Sequence, residues 1–207
     1  ARQVKAFIGL GSNLGDRAEN LRRALEALGR VVRVEAVSPC YETEPAYVLD
    51  QPRFYNLVCR ASTGRAPVDL LHTLKRLEAD LGRAPSERYG PRLIDIDILF
   101  YRDLVLDSPE LTLPHPLLHE RAFVLVPLAD LAPDLVHPAR GQTVAEMRAG
   151  LGDARATVRE VADFTPPLPA ALSRQARGWG AASWGRQTYL MGILNVTPDS
   201  FADGGLY

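Results

Sequence analysis

The chain has 207 residues with 24 Lys plus Arg against 25 Asp plus Glu, and a net charge of -1 gives it no general electrostatic pull toward nucleic acid or an anionic membrane. A hydrophobic content of 46% is that of an ordinary globular protein, long enough to bury one good core with some remainder. Two cysteines, Cys40 and Cys59, exclude a disulfide framework and lack metal-ligand spacing, and no apolar run approaches a membrane span, so buried thiols in a soluble, cytoplasmic protein are expected.

Residues 4–10 are a short apolar run read as a strand, followed by the loop Gly11-Ser12-Asn13-Leu14-Gly15-Asp16. Leu21, Ala24, Leu25 and Leu28 then recur at helical spacing until Gly29. Residues 31–37 alternate Val with polar side chains, and residues 54–61 form a second β-like run. The segment between them, with Pro39, Pro45 and Pro52, is too long for a tight hairpin and is expected to be a functional loop. Leu70, Leu71, Leu74, Leu77 and Leu81 predict an amphipathic helix from Pro67 to Gly82, and another apolar strand follows. The order strand, helix, strand, strand, helix, strand predicts an α+β fold with a ferredoxin-like core, both helices on one sheet face and the other face open to ligand. Additional C-terminal strands and helices are expected: a short helix near 119–122, an apolar run at 123–128 that extends or covers the sheet, a helix at 143–149 and a strand at 157–161. Residues 163–187, opening on a Pro-rich stretch, read as a linker. Residues 188–207 resume as a strand and polar loop.

The most informative stretch is Gly90-Pro91-Arg92-Leu93-Ile94-Asp95-Ile96-Asp97-Ile98. Strand side chains alternate faces, so Asp95 and Asp97 project together while Ile94, Ile96 and Ile98 enter a core. At about 7 Å apart two such charges repel by about 2 kcal/mol at an effective dielectric of 20, unless a cation neutralises them. Few, hard oxygen ligands suit Mg²⁺, which completes its octahedron with water and phosphate. Arg92 sits three residues away with a fork suited to the same phosphates. The alternative is a solvated sheet face neutralised by arginines. Lysine is scarce, Lys5 and Lys75 being the two in the chain.

Taken together, Gly11-Ser12-Asn13-Leu14-Gly15, Asn56 after Phe54-Tyr55, Gly90-Pro91-Arg92 through Asp95 and Asp97, and Pro114-His115 with Arg121 and Phe123 resemble 6-hydroxymethyl-7,8-dihydropterin pyrophosphokinase over residues 1–162. The resemblance implies an enzyme that passes pyrophosphate from ATP to a hydroxymethyl pterin, giving the pterin diphosphate and AMP, in folate biosynthesis. It implies two Mg²⁺ ions on Asp95 and Asp97, and phosphate ligands among Arg83, Arg88, Arg92 and Arg121. His115, held in a rigid Pro-His-Pro turn, is implied as a hydrogen-bond donor to phosphate. Glu78, Ile98 and Thr112 fall at positions that approach ATP in the family. Phe54 and Phe123 match the pair that stacks on the pterin, Asn56 offers its amide to the pterin edge, Thr43, Pro45 and Ala46 occupy the lining loop, and Tyr89 stands where an aromatic lid is expected. Around Ala84-Pro85-Ser86 the chain departs from the family pattern, which has further basic residues in some members.

A second resemblance begins at Met191, where Gly-Ile-Leu-Asn-Val-Thr-Pro-Asp-Ser-Phe and Asp203-Gly204-Gly205 look like the first strand and loop of dihydropteroate synthase. About 20 residues cannot form an eight-stranded barrel of about 250, so no synthase activity is expected from this fragment. The implied partners are the two small-molecule substrates, with no nucleic acid and no membrane, and a covalent fusion to the synthase in a longer form. Two rival readings are a ferredoxin-like scaffold that has lost catalysis, opposed by the presence of Asp95, Asp97, Arg92 and His115, and an RNA-binding sheet, opposed by the acidic face.

Overall fold

A computed structural model of the chain describes residues 3–46, 48–83 and 90–167. Its strands are β1 (Val4–Ser12), β2 (Arg33–Val37), β3 (Tyr41–Thr43), β4 (Phe54–Thr63), β5 (Asp95–Tyr101), β6 (Leu106–Asp107), β7 (Thr112–Leu113) and β8 (Val158–Glu160). Its helices are α1 (Arg17–Leu28), α2 (Pro67–Asp80), α3 (Ala122–Leu131) and α4 (Val144–Ala149), with 3-10 turns at Leu118–Glu120 and Gly152–Thr157.

Strand β1 lies between β5 and β4 and is antiparallel to both. Along the far edge of β4 run both β2 and β3, and β8 pairs with β3. Two crossovers, β1-α1-β2 and β4-α2-β5, each skip a strand position, which is the ferredoxin-like arrangement that the element order predicts. Helix α1 forms because Leu21, Ala24, Leu25 and Leu28 share one face, all buried, while the Asp16 carboxylate accepts the Glu19 N–H at its start. Helix α2 starts on Pro67 and buries Leu70, Thr73, Leu74 and Glu78. Both helices pack on the sheet face made by Ala6, Ile8, Leu10, Leu57, Cys59, Ile96 and Ile98. Each fully buried Leu or Ile there contributes about 1.5–3 kcal/mol over its exposed state.

The structure corrects the sequence-based expectations at several places. Gly11 and Ser12 belong to β1 rather than to the following loop, and the segment between β2 and β4 contains a strand, β3. Of the two outcomes expected for residues 123–128 the structure has the covering one: they lie in a helix, α3, whose buried side chains, among them Val124, Leu125, Leu128 and Ala129, go nearly all the way round it. A helix that is apolar on every side has no period to read. Helices α3 and α4 pack on Phe7, Val58, Leu99 and Phe100, so the second sheet face is half covered rather than open. Phe164 packs against the first core and the Arg22 guanidinium lies over its ring, 5.3 Å from the centroid, so the segment beginning at 163 that reads as linker starts out docked on α1. The boundary at 187 and the terminal strand fall outside the described residues. No described helix is long and apolar enough to cross a membrane.

Candidate active site

The uncovered half of the second sheet face is the floor of a cleft of about 370 Å³. Its centre is bare because β1 presents Gly9 and Gly11 there. Gly9 stands opposite Asp97 on β5 and Val58 on β4, and Gly11 stands opposite Asp95 and Asn56. A Cβ on Gly11 would come within 2.8 Å of Asn56 Oδ1, closer than the packing tolerates. The two glycines therefore hold a gap between a carboxylate strand and an amide strand.

Asp95 and Asp97 both line the cleft, on one side of β5, while Ile96 and Ile98 point into the opposite core. The acid pair is embedded in cations. Arg83 Nη1 is 2.6 Å from Asp95 Oδ1 and 2.6 Å from Glu78 Oε2, and Arg92 Nη1 is 2.9 Å from Asp95 Oδ2. Lys75 Nζ lies 2.9 Å from Glu78 Oε1 and 3.4 Å from Asp97 Oδ1. Burial alone would raise the Asp95 carboxyl; Arg92, Arg83 and Lys75 outweigh it and hold it below the usual carboxylate range. Burial pushes Glu78 up, opposed by Lys75, by the Ile96 N–H and by Arg83.

The opposite wall is built from the turn after β7. A bulge in β5 leaves Leu99 without a register partner on β1, and the Leu99 carbonyl accepts the His115 N–H at 3.0 Å. His115 Nδ1 accepts the Leu117 N–H at 3.3 Å. Burial lowers the His115 pKa, with Asp97 opposing and Arg121 adding to the effect, so the ring is neutral near pH 7. Arg121 Nη1 donates toward His115 Nε2 at 3.5 Å, so the guanidinium and the ring stand side by side at this wall. Arg121 also lies over the Phe123 ring at 5.5 Å.

Phe54, Asn56, Thr43, Ala46 and Phe123 line the rest of the cleft. Asn56 is buried, and its Nδ2 donates to Thr43 Oγ1 at 2.7 Å across the β3–β4 pair. That bond assigns the amide's orientation and leaves Oδ1 toward Gly11.

Of the sequence-predicted residues, the structure brings Thr43, Ala46, Phe54, Asn56, Arg83, Arg92, Asp95, Asp97, His115, Arg121 and Phe123 together around one cleft. Others it places elsewhere. Ile98 is a core residue under α2, as strand alternation requires. Thr112 pairs its hydroxyl with Asp107, and Pro45 is buried beside the cleft rather than lining it. Glu78 is 2% exposed and lies beneath the site, where its Oε1 accepts the Ile96 N–H at 2.6 Å. It is a strut between α2 and β5. Tyr89 and Arg88 fall outside the described residues. Sequence reasoning missed Lys75, Gly9 and Asn13 as site-builders. The signals available were a lysine one turn before Glu78 in an arginine-rich chain, and two glycines at strand spacing in β1.

Among the described residues no three His, Cys, Asp or Glu side chains form a metal cage. Two cleft-lining aspartates with Glu78 already committed still fit a cation that takes most of its ligands from water and phosphate, which is the habit of Mg²⁺ rather than of Zn²⁺ or Ca²⁺.

Residues 7–133 match the family model described as 7,8-dihydro-6-hydroxymethylpterin-pyrophosphokinase (HPPK). The chain is 46% identical over 136 residues to the 2-amino-4-hydroxy-6-hydroxymethyldihydropteridine pyrophosphokinase of Pseudomonas aeruginosa, covering 65% of this chain and 84% of that protein. It is 39% identical over 209 residues to the folic acid synthesis protein FOL1 of Dictyostelium discoideum, covering 97% of this chain and 31% of that one. The chain thus spans about a third of the length of that longer relative. A crystal structure of wild-type Plasmodium falciparum HPPK-DHPS with pteroate superposes with a TM-score of 0.61 at 18% identity, over 72% of this chain and 42% of that one, a likeness of fold. By its match over residues 7–133 and its identity to near full-length relatives, the chain belongs to the 7,8-dihydro-6-hydroxymethylpterin-pyrophosphokinase family.

Proposed function

We propose that this chain transfers pyrophosphate from ATP to 6-hydroxymethyl-7,8-dihydropterin. The observation that carries the reading is a single cleft lined by two aromatic rings and a buried amide together with a carboxylate pair, Arg83, Arg92, His115 and Arg121. A flat heterocycle and a polyphosphate need those two chemistries side by side.

In the proposed reaction the hydroxymethyl oxygen attacks the β-phosphorus in line. The bond from that phosphorus to the α,β-bridging oxygen breaks, AMP leaves with the electron pair, and the hydroxyl proton passes to water. Phe54 and Phe123 sandwich the pterin and Asn56 reads its edge, which fixes the nucleophile's direction. His115 and Arg121 donate to phosphate oxygens, and Arg92 adds a forked donor. Asp95 and Asp97 would hold two Mg²⁺ ions, which supply charge neutralisation on the phosphates and orient the attacking oxygen.

The proposal extends to the end of the chain. Residues 163–187 act as a linker, and residues 188–207 open a dihydropteroate synthase domain that a longer form continues. Supporting this, the matches to the folic acid synthesis protein of Dictyostelium and to the mitochondrial folate synthesis bifunctional protein of Pisum sativum each run over 97% of the chain, well past the family match. The buried, unpaired thiols of Cys40 and Cys59 favour a reducing compartment such as the cytoplasm.

The test is incubation with ATP, Mg²⁺ and the hydroxymethyl pterin, with nucleotide products separated by chromatography. AMP in step with pterin diphosphate is expected. ADP would replace the reading with ordinary phosphoryl transfer, and no product above background would end it.

A further inference from the structure

Lys75 is one of the two lysines in the sequence, and it stands at the acid pair. Its ammonium is 2.9 Å from Glu78 Oε1, 3.4 Å from Asp97 Oδ1 and donates to the Ile96 carbonyl at 3.2 Å. Each of its three N–H groups thus has an acceptor, and two of those acceptors are on β5. With Arg83 and Arg92 on Asp95 and Glu78, three cations face three carboxylates, and the cluster is balanced before any ligand arrives.

The three cations are not equally held. The Arg92 and Arg83 side chains are 13% and 24% exposed and each grips Asp95, whereas Lys75 is 42% exposed on a flexible four-carbon stem. Lys75 is therefore the movable member, and it is the one that touches Asp97.

We propose, building on the metal-dependent transfer set out above, that Lys75 is an internal counter-ion guarding Asp97: it keeps divalent cations out of the free protein and yields the carboxylate when a polyphosphate arrives. An ammonium and a divalent ion a few ångströms apart repel by roughly ten times RT at an effective dielectric of about 20, so the two compete for Asp97. A triphosphate reverses that relation. Its oxygens attract the ammonium and the metal alike, so Lys75 changes from competitor to phosphate ligand, and metal and nucleotide enter as a unit.

The experiment is Mn²⁺ titration followed by electron paramagnetic resonance, on the whole chain, for wild type, Lys75→Met, Lys75→Arg and Asp97→Asn, with folding checked by thermal melts. Without nucleotide, Lys75→Met is expected to bind Mn²⁺ at least about fivefold more tightly than wild type. Lys75→Arg, which keeps the charge, should stay weak, and Asp97→Asn weaker still. With an α,β-methylene ATP analogue the order inverts, and Lys75→Met binds the metal-nucleotide pair more weakly than wild type. Should Lys75→Met fail to fold, Lys75→Gln takes its place. Equal Mn²⁺ affinity of wild type and the neutral variant without nucleotide overturns the proposal, as does tight binding by Lys75→Arg. If wild type binds Mn²⁺ neither alone nor with the analogue, the metal-dependent reading itself fails and takes this one with it; the two failures are told apart by the wild-type curve.

Discussion

Asn13 and Arg92 hold each other in both directions: the Asn13 N–H donates to the Arg92 carbonyl at 3.1 Å, and the Arg92 N–H donates to Asn13 Oδ1 at 2.8 Å. The other end of the same amide donates to Gln51 Oε1 at 3.0 Å and the Pro52 carbonyl at 3.1 Å. Asn13 is 1% exposed and thereby ties the loop that presents Arg92 to the loop that leads into Phe54. One residue joins the Arg92 side of the cleft to the Phe54 side.

Asn13→Ala leaves buried partners unsatisfied in both loops, so a loss of about 1–3 kcal/mol of stability is expected in thermal or urea melts. In steady-state kinetics KM should rise for ATP and for the pterin together. Asn13→Asp keeps an acceptor for the Arg92 N–H but turns a carboxylate on Gln51 Oε1 and the Pro52 carbonyl, so the pterin KM should rise more than the ATP KM. A variant that moves neither constant would show that the clasp does not position the site.

Gly11→Ala adds a methyl group that meets Asn56 Oδ1 at 2.8 Å. The amide must swing away from Thr43 and from the cleft. The expected result is a pterin KM raised about tenfold with the ATP KM nearly unchanged, because the strain lies at Asn56. An ATP effect of equal size would mean that the whole sheet floor had shifted.

Asp95→Ala and Asp97→Ala should each lower kcat by about a thousandfold or more, read as AMP released per enzyme. Their stabilities should differ. Asp95 neutralises two arginines, so its loss strands buried positive charge and costs about 2 kcal/mol or more. Among the described residues Asp97 pairs only with Lys75, and Lys75 keeps Glu78. Calorimetry showing equal melting temperatures for the two variants would contradict this division of labour.

Burial pushes the Cys40 and Cys59 thiols up from 9.0 to about 12, and burial with the Asp130 hydrogen bond raises Tyr41 as well. Above pH 9 the unfolded chain gives up thiol protons that the folded chain keeps, so stability falls as pH rises from 9 toward 12. The variant Cys40→Ala with Cys59→Ala should lose part of that alkaline slope in urea titrations. Native protein should resist a disulfide-exchange reagent at pH 8, and both thiols should react once it is denatured.

The fold was legible where periodicity was clean. Alternation in Ile94-Asp95-Ile96-Asp97-Ile98 told which side chains share a face, and the leucine spacing of α1 and α2 told that both cover one side of the sheet. It was illegible where both sides of an element are buried: α3 has no polar stripe to mark it as a helix, and Glu78 has no local feature to say that an N–H on β5 awaits it. The site residues that sequence reasoning named are those whose chemistry is conspicuous, acids, arginines and aromatics. Gly9, Gly11 and Asn13 matter through register and through backbone partners some forty to eighty positions away, which no local pattern encodes.

The extra residue in β5 divides that strand into two jobs. Up to Leu99 the odd-numbered side chains look into the cleft; past it the count slips, and Phe100 turns to the α3 side. Deleting a single residue there would send the aromatic ring to the wrong side of the sheet and take away the carbonyl on which the Pro-His-Pro turn hangs. The slip lets two neighbouring side chains, Leu99 and Phe100, share the side that Asp95 and Asp97 occupy, so the acid pair runs straight into an oily patch.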